Sequence, residues 1–313
     1  LENLWSLNSF HIQSLRDNEN LAKEELNLIF DNNDPGINEK LSYKLEFPNI
    51  VVNNKPKIAI LREQGVNGHY EMAAAFHYAG FESIDVHMQD LISGDRRLSE
   101  FKAFVACGGF SYGDVLGAGE GWAKVILNNH LLKDQFEDFF TRKDTIALGV
   151  CNGCQMLSNI KTLIPGASSW PKLVRNYSDQ FESRVVTVRV PRTNSIFFKD
   201  MENSFIPVIT AHGEGRAEFK DQDDLNKLIK MEQITLQYVD NKHVVTEVFP
   251  FNPNGSLQGV TGFSNDDGRF NIMMPHPERV FRFDQQTWSR NKKDGYGAWF
   301  KFFTNAAYFI KNN

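Results

Sequence analysis

The chain has 313 residues, 41% of them apolar, and a formal net charge of −5. Its apolar runs are short and broken by charge, which argues against a membrane-spanning helix, and it has no Lys/Arg cluster of the kind that grips nucleic acid. Three cysteines without a repeating framework, and no basic segment leading into an apolar signal core, point to a cytoplasmic protein.

Residues 1–54 form the first unit. Leu4, Trp5, Leu7, Phe10 and Leu15 precede a helix-like stretch through Leu21, Leu26 and Ile29, and Asp31-Asn32-Asn33-Asp34-Pro35-Gly36 is a dense turn signal. The segment is too short and polar for a core of its own and is expected to be a linker or tail that packs on a partner domain. A first residue of Leu rather than Met suggests a piece of a longer chain. Asn53-Asn54-Lys55-Pro56 marks the boundary to a second unit, residues 55–313.

From Lys57 the pattern is regular. Lys57–Arg62 predicts a strand, His69–Ala79 a helix stopped by Gly80, Ser83–Met88 a strand and Phe101–Cys107 another. A helical region over Glu120–Arg142 breaks near Asn128-Asn129, Thr145–Val150 is a fourth strand, and Cys154–Ile160 belongs to a further helix. Strands alternating with helices predict right-handed crossovers and an open, mostly parallel α/β sheet with flanking helices. In the second half Arg184–Val190, Pro207–Ala211, Ile234–Val239, Val244–Val248 and Phe270–Met274 are candidate strands, some forming a small antiparallel β lobe over the parallel core. An aromatic core-packing helix runs from about Gly297 to Ile310.

The most informative segment is Gly149-Val150-Cys151-Asn152-Gly153, where an apolar strand gives way at once to a helix. This is the pattern of a nucleophile elbow with sulfur in place of a serine oxygen. Glycines on both sides let neighbouring backbone pass close to a strained turn. The turn puts Cys151 at the carboxyl end of the sheet and at a helix N-terminus, where the macrodipole favours thiolate, and the Asn152 N–H is placed to stabilise an oxyanion. The bland alternative, a small buried apolar residue, fits most free cysteines but not the glycine frame. A Cys151/Cys154 metal or redox pair lacks matching further ligands, so no metal site is expected.

A thiolate doing acyl transfer needs a base that later serves as acid. His276 lies in Met274-Pro275-His276-Pro277-Glu278, just past a predicted strand, and Glu278 two residues on can hold the imidazole as a third triad member. His212, in the glycine-rich Ala211-to-Arg216 segment, is the second candidate base. After the third strand, the Gly108-Gly109 amides could complete an oxyanion hole. The loop Arg175 to Arg184 could read the α-amino and α-carboxylate groups of an amino acid, or be a solvated connection. The residues alone leave a cysteine peptidase, a thioester hydrolase or a non-catalytic partner-binding domain open.

The segments IAILREQGVNG from Ile58, ACGGFSYGDVLGAG from Ala106, LGVCNGCQM from Leu148, FESR from Phe181, AHGEGR from Ala211 and PHPER from Pro275 give a specific resemblance. From about residue 55 the sequence resembles the class I (triad) glutamine amidotransferases, and more narrowly the glutaminase domain of large single-chain phosphoribosylformylglycinamidine synthases. Residues 1–54 look like the stretch that joins the synthetase portion to it. The resemblance implies a flavodoxin-like fold, a Cys151–His276–Glu278 triad, an oxyanion hole from Gly109 and Asn152, and contact of Gln155 with glutamine. It also implies a substrate-closing loop containing Asn176, Ser178, Phe181 and Glu182. The implied activity is hydrolysis of glutamine through a cysteinyl thioester, with ammonia channelled to an ATP-dependent synthetase domain of the same parent chain. ATP and Mg would belong to that absent portion, and no cofactor is expected in this chain.

Overall fold

The computed structural model describes residues 2–47, 54–286 and 295–313; Asn53 of the expected boundary lies outside them. The strands are β1 (Lys57–Arg62), β2 (Glu82–His87), β3 (Ala103–Ala106), β4 (Ile146–Val150), β5 (Lys172–Val174), β6 (Glu182–Arg189), β7 (Phe205–His212), β8 (Arg216–Glu218), β9 (Ile234–Val239), β10 (Val260–Ser264) and β11 (Phe270–Met273). The helices are α1 (Glu2–Arg16), α2 (Glu19–Ile29), α3 (His69–Tyr78), α4 (Met88–Ser93), α5 (Glu120–Leu127), α6 (His130–Thr141), α7 (Asn152–Asn159), α8 (Gln222–Lys230) and α9 (Phe300–Asn312).

Nine strands form one sheet in the order β2-β1-β3-β4-β11-β10-β9-β6-β7. The first five pair in parallel, and the remaining pairings are antiparallel. β5 and β8 make a separate two-stranded antiparallel sheet. This is the expected α/β fold, with two differences in detail. The candidate strands β6, β7 and β9 extend the main sheet, while the small separate lobe is built from β5 and β8, each only three residues long. Val244–Val248 is not a strand: it turns back on β9 through a single bridge, Val239 to Val245, with Asp240 N–H donating to the Val244 carbonyl.

The apolar residues of β1, β3 and β4 are buried along nearly their whole length, as a parallel sheet covered on both faces requires. β1 crosses over α3 to β2 on one side, and β3 crosses over α5 and α6 to β4 on the other. Right-handed crossovers running in opposite directions put those helices on opposite faces. Phe104 of β3 meets Phe136, Phe139 and Phe140 of α6, with ring centroids 5.6, 4.9 and 5.8 Å away. Phe76 of α3 packs edge-on against Phe303 of α9 at 5.1 Å, so the aromatic C-terminal helix does serve the core. The break in the helical region falls at Asn129, whose side chain caps α6 by accepting from the Leu132 N–H. The strand order reverses direction between β1 and β3, and at such a switch point the loops leaving the carboxyl ends of the strands splay apart and open a crevice.

The N-terminal segment packs on this chain. Asn18 caps α2, which buries Leu21, Ala22 and Leu26. The Glu24 carboxylate accepts from the Phe249 N–H at 2.8 Å, and Lys40 exchanges two backbone hydrogen bonds with Phe205 at the sheet edge. The Tyr43 hydroxyl donates to the Ala298 carbonyl at 2.8 Å. Among the described residues no helix is long and apolar enough to cross a membrane.

Candidate active site

Cys151 lies between the last residue of β4 and the first of α7, with φ 53° and ψ −109°. A non-glycine residue there carries strain of roughly 1–3 kcal/mol, so neighbouring structure must hold it. Its N–H donates to the Met273 carbonyl at the end of β11, and its carbonyl accepts from Gln155 in the first helical turn. Gly153 allows α7 to start this close to the sheet: a Cβ on it would lie 1.9 Å from the Ala106 carbonyl oxygen. The expected elbow is present, and α7 begins two residues earlier than the sequence pattern placed it.

Gly108, just past β3, seats the side chains of Cys151 and His276 together. A Cβ built there would be 2.7 Å from Cε1 of His276 and 3.4 Å from Cβ of Cys151. His276 and Glu278 are fully buried, and Nδ1 of the imidazole is 2.6 Å from the Glu278 carboxylate. Bridging of His276 to Ile209 of β7 fixes its backbone. Burial alone would pull the His276 pKa down, but the Glu278 carboxylate and, after it, Cys151 outweigh that and raise it. Cys151 Sγ makes its hydrogen bond to the Ala211 carbonyl at 3.5 Å, and His276 Nε2, facing away from Glu278, has no hydrogen-bond partner. The elbow therefore holds a thiol beside an imidazole whose charged form is supported by a buried carboxylate.

Two backbone donors lie at this point. Gly109 has φ 154° and bridges Val66, and a Cβ on it would be 2.5 Å from the Val66 Cα. The ladder between the two loops uses the Gly108 carbonyl, accepting from Asn67, and the Phe110 N–H, donating to Gly65. The Gly109 N–H stands outside that ladder. The Asn152 N–H, in the first turn of α7, has no intrahelical acceptor by construction.

Side chains around the elbow lock the loops to one another. The Asn152 amide accepts from the Ser111 N–H at 3.0 Å and donates to Asp114 and Gln155, both at 3.1 Å. Gln155 donates in turn to the Glu214 carbonyl, and the Glu214 carboxylate accepts from the Ala118 N–H. Burial pushes the Asp114 carboxyl up, against the pull of its hydrogen bond to Asn152. Ser111, Asp114 and Glu214 were not singled out from sequence. Their signal was the run of glycines around them, which marks tight loops without saying where those loops meet.

The Asn176-to-Glu182 loop divides into two groups. Asn176 is buried and pins the segment after β7: its amide nitrogen donates to the carbonyls of His212 (2.7 Å) and Gln180 (3.0 Å). Ser178 is also buried, its hydroxyl accepting from the Gln180 N–H. Phe181 is half exposed, with its ring centroid 5.9 Å from that of Phe110. Glu182 turns to Arg184, which contacts it at 2.6 Å, reaches Glu25 of α2 at 3.5 Å and lies 4.8 Å over the Phe249 ring. Ser178, Phe181 and Glu182 thus line a cleft of about 310 Å³ against α1 and α2 whose lining does not include Cys151, His276 or Glu278. His212 is buried, and burial, with a smaller contribution from His276, lowers its pKa to about 3. An imidazole of so low a basicity is a poor match for the general base expected of His212 as the second candidate. Among the described residues no group of three or more His, Cys, Asp or Glu is placed to hold a metal ion.

Residues 55–310 match the model of the CobB/CobQ-like glutamine amidotransferase domain. The chain belongs to this family. Among solved structures it is similar to a chain in the structure of PurLQS from Thermotoga maritima, at 24% identity and a TM-score of 0.62, covering 82% of this chain and 100% of that one. It is also similar to a glutamine amidotransferase from Thermotoga maritima (17% identity, TM-score 0.43, 72% of this chain and 77% of that one). A third likeness is to the glutaminase domain of Trypanosoma brucei CTPS (13% identity, TM-score 0.45, 81% and 94%). At 24% identity the likeness to the PurLQS chain speaks to the fold alone.

Proposed function

We propose that this domain hydrolyses glutamine to glutamate and ammonia through a thioester on Cys151. The observation that carries the reading is the packing of the strained Cys151 and the His276–Glu278 pair against the same glycine, Gly108. In this reading the Cys151 thiolate attacks the γ-carboxamide carbon. The Gly109 and Asn152 N–H groups donate to the oxyanion that forms. The C–N bond then breaks as the proton on His276 Nε2 passes to the nitrogen, which leaves as ammonia. A water molecule, deprotonated by the now neutral His276, attacks the thioester, expels the thiolate and releases glutamate. Glu278 holds the ring and stabilises its imidazolium form. Gln155 contributes to the glutamine site beside the elbow.

The ammonia is destined for an ATP-dependent synthetase that forms formylglycinamidine ribonucleotide in purine synthesis. The resemblance of the sequence motifs, and the fold likeness to a chain of the Thermotoga maritima PurLQS structure, support this finer assignment. The exposed apolar side chains of Phe110, Tyr112, Val115 and Leu116, on the loop after β3, suit the docking of a synthetase portion, which by sequence resemblance would belong to the same parent chain. The test is glutamate release with and without that synthetase portion added in trans. Cys151→Ala should abolish release, and release at the parent rate from that variant would contradict the reading.

A further inference from the structure

The triad leaves one buried titratable group of the site without a task. His212 follows directly on Ala211, whose carbonyl receives the Cys151 thiol, and it lies within electrostatic reach of His276. Its Nδ1 is 3.2 Å from Oδ1 of Asn176. The orientation of that amide is fixed independently of the histidine. Oδ1 accepts from the Gly215 N–H at 3.0 Å, and Nδ2 donates to two carbonyls, those of His212 and Gln180. An oxygen only accepts, so the proton of His212 is on Nδ1, and Nε2 carries a bare lone pair. A Cβ on Gly215 would be 2.5 Å from both Cε1 and Nδ1 of the ring, so the loop presses on the imidazole and helps hold it. Nε2 is buried and has no hydrogen-bond partner. A buried acceptor without a donor is costly, and such an atom on the residue next to the carbonyl that receives the Cys151 thiol marks a place that a ligand could complete.

Resting on the glutaminase reading above, we infer that His212 Nε2 accepts a hydrogen bond from the carboxamide N–H of bound glutamine, and so reads the amide nitrogen that the reaction releases. The chemistry suits the task. Glutamine offers two N–H donors at its reacting end, whereas the γ-carboxylate of glutamate offers only acceptors, which would face the lone pair of Nε2 unfavourably. The residue thus favours substrate over product. Burial keeps the ring neutral, so it can hold the departing nitrogen without protonating it, and ammonia leaves in its nucleophilic form. Asn176 takes part as a positioning residue that sets the tautomer.

The test compares two substrates that form the same Cys151 thioester, glutamine and glutamate γ-methyl ester, which has no N–H at its reacting end. In the full chain, His212→Phe should lower kcat/KM for glutamine roughly 10- to 100-fold, as sites that lose a buried hydrogen bond to substrate do, while the ester changes by less than about threefold. Melting and circular dichroism report whether the variant folds; should it not, the same ratio is read on His212→Ala. Equal losses on both substrates would show a structural role and overturn the inference while leaving the glutaminase reading intact. Failure of the unaltered chain to turn over either substrate would instead contradict the glutaminase reading, and this inference with it.

Discussion

Gly108 and His276 are in such close contact that the glycine has no room for a methyl group: a Cβ would stand 2.7 Å from the imidazole Cε1. The ring is held by Glu278 at Nδ1, the atom next to that Cε1, so it cannot swing clear without breaking a buried 2.6 Å hydrogen bond. Gly108→Ala should therefore move His276 relative to Cys151 and lower kcat for glutamine by about 100-fold, the scale expected of a misplacement near 1 Å. The melting temperature should change little by comparison. Steady-state kinetics beside a thermal melt checks this.

Glu278→Gln removes the largest of the contributions that together outweigh burial at His276, so the imidazolium loses its main support. Removing one partner of a buried pair costs about 3–5 kcal/mol, and kcat should fall steeply. The pH dependence has a definite sign. A histidine whose pKa is raised on folding stabilises the fold fully below its unfolded value, near 6.5, and loses that contribution as pH rises through its folded value, about 9. The stability advantage of the unaltered chain over His276→Gln should accordingly shrink between about pH 6.5 and pH 9. Denaturant melts of both proteins across that range measure it.

Gly153→Ala would place a methyl group on the Ala106 carbonyl, which belongs to backbone that cannot yield as a side chain would. The start of α7 would be pushed off the end of β3, taking Cys151 with it. Both stability and glutaminase activity should fall, stability by at least the 1–3 kcal/mol typical of overpacking. A variant that melts normally and remains active would show that the elbow is not built as described.

Arg184 is the shared partner of Glu182 and Glu25, and its guanidinium lies over Phe249. Glu182 is buried, so Arg184→Ala leaves a carboxylate in a poorly hydrated place and loosens α2 from the Asn176–Glu182 loop. The expected outcome is a loss of about 2–3 kcal/mol and faster proteolysis in residues 2–47. Limited proteolysis with mass mapping, set against kcat for glutamine, separates an effect on the arm from one on the chemistry.

Much of this could be read from sequence where chemistry is local in the chain. The Cys151 elbow, the His276–Glu278 pair and the strands β1 to β4 each sit in one short segment with its own signal: flanking glycines, a two-residue spacing, or a continuous apolar run. Features made by chain-distant contacts were not legible. β10 was missed because its central Gly262 reads as a turn residue, although the glycine is there to let Thr235 of β9 approach: a Cβ would be 2.6 Å from the threonine hydroxyl. β5 and β8 are too short to show a period. The apparent alternation of Val244–Val248 belongs to a turn on β9. Glu182 was expected with the substrate, and only folding reveals Arg184 and Glu25 gathered around it. The same holds for Asn176, whose partners are His212 and Gly215, some forty residues along the chain.

The central claim is that Cys151, and not its neighbour Cys154, is a nucleophile shaped for glutamine. Burial holds the Cys154 thiol well above the ordinary range, and Cys107 likewise, so neither should compete. The direct measurement is incubation with a glutamine-mimicking diazo-ketone followed by peptide mass mapping. The account predicts one adduct per chain, on Cys151, slowed by added glutamine and lost in Cys151→Ala. An unlabelled Cys151, labelling on Cys154 or Cys107 instead, or labelling that glutamine does not slow would contradict it.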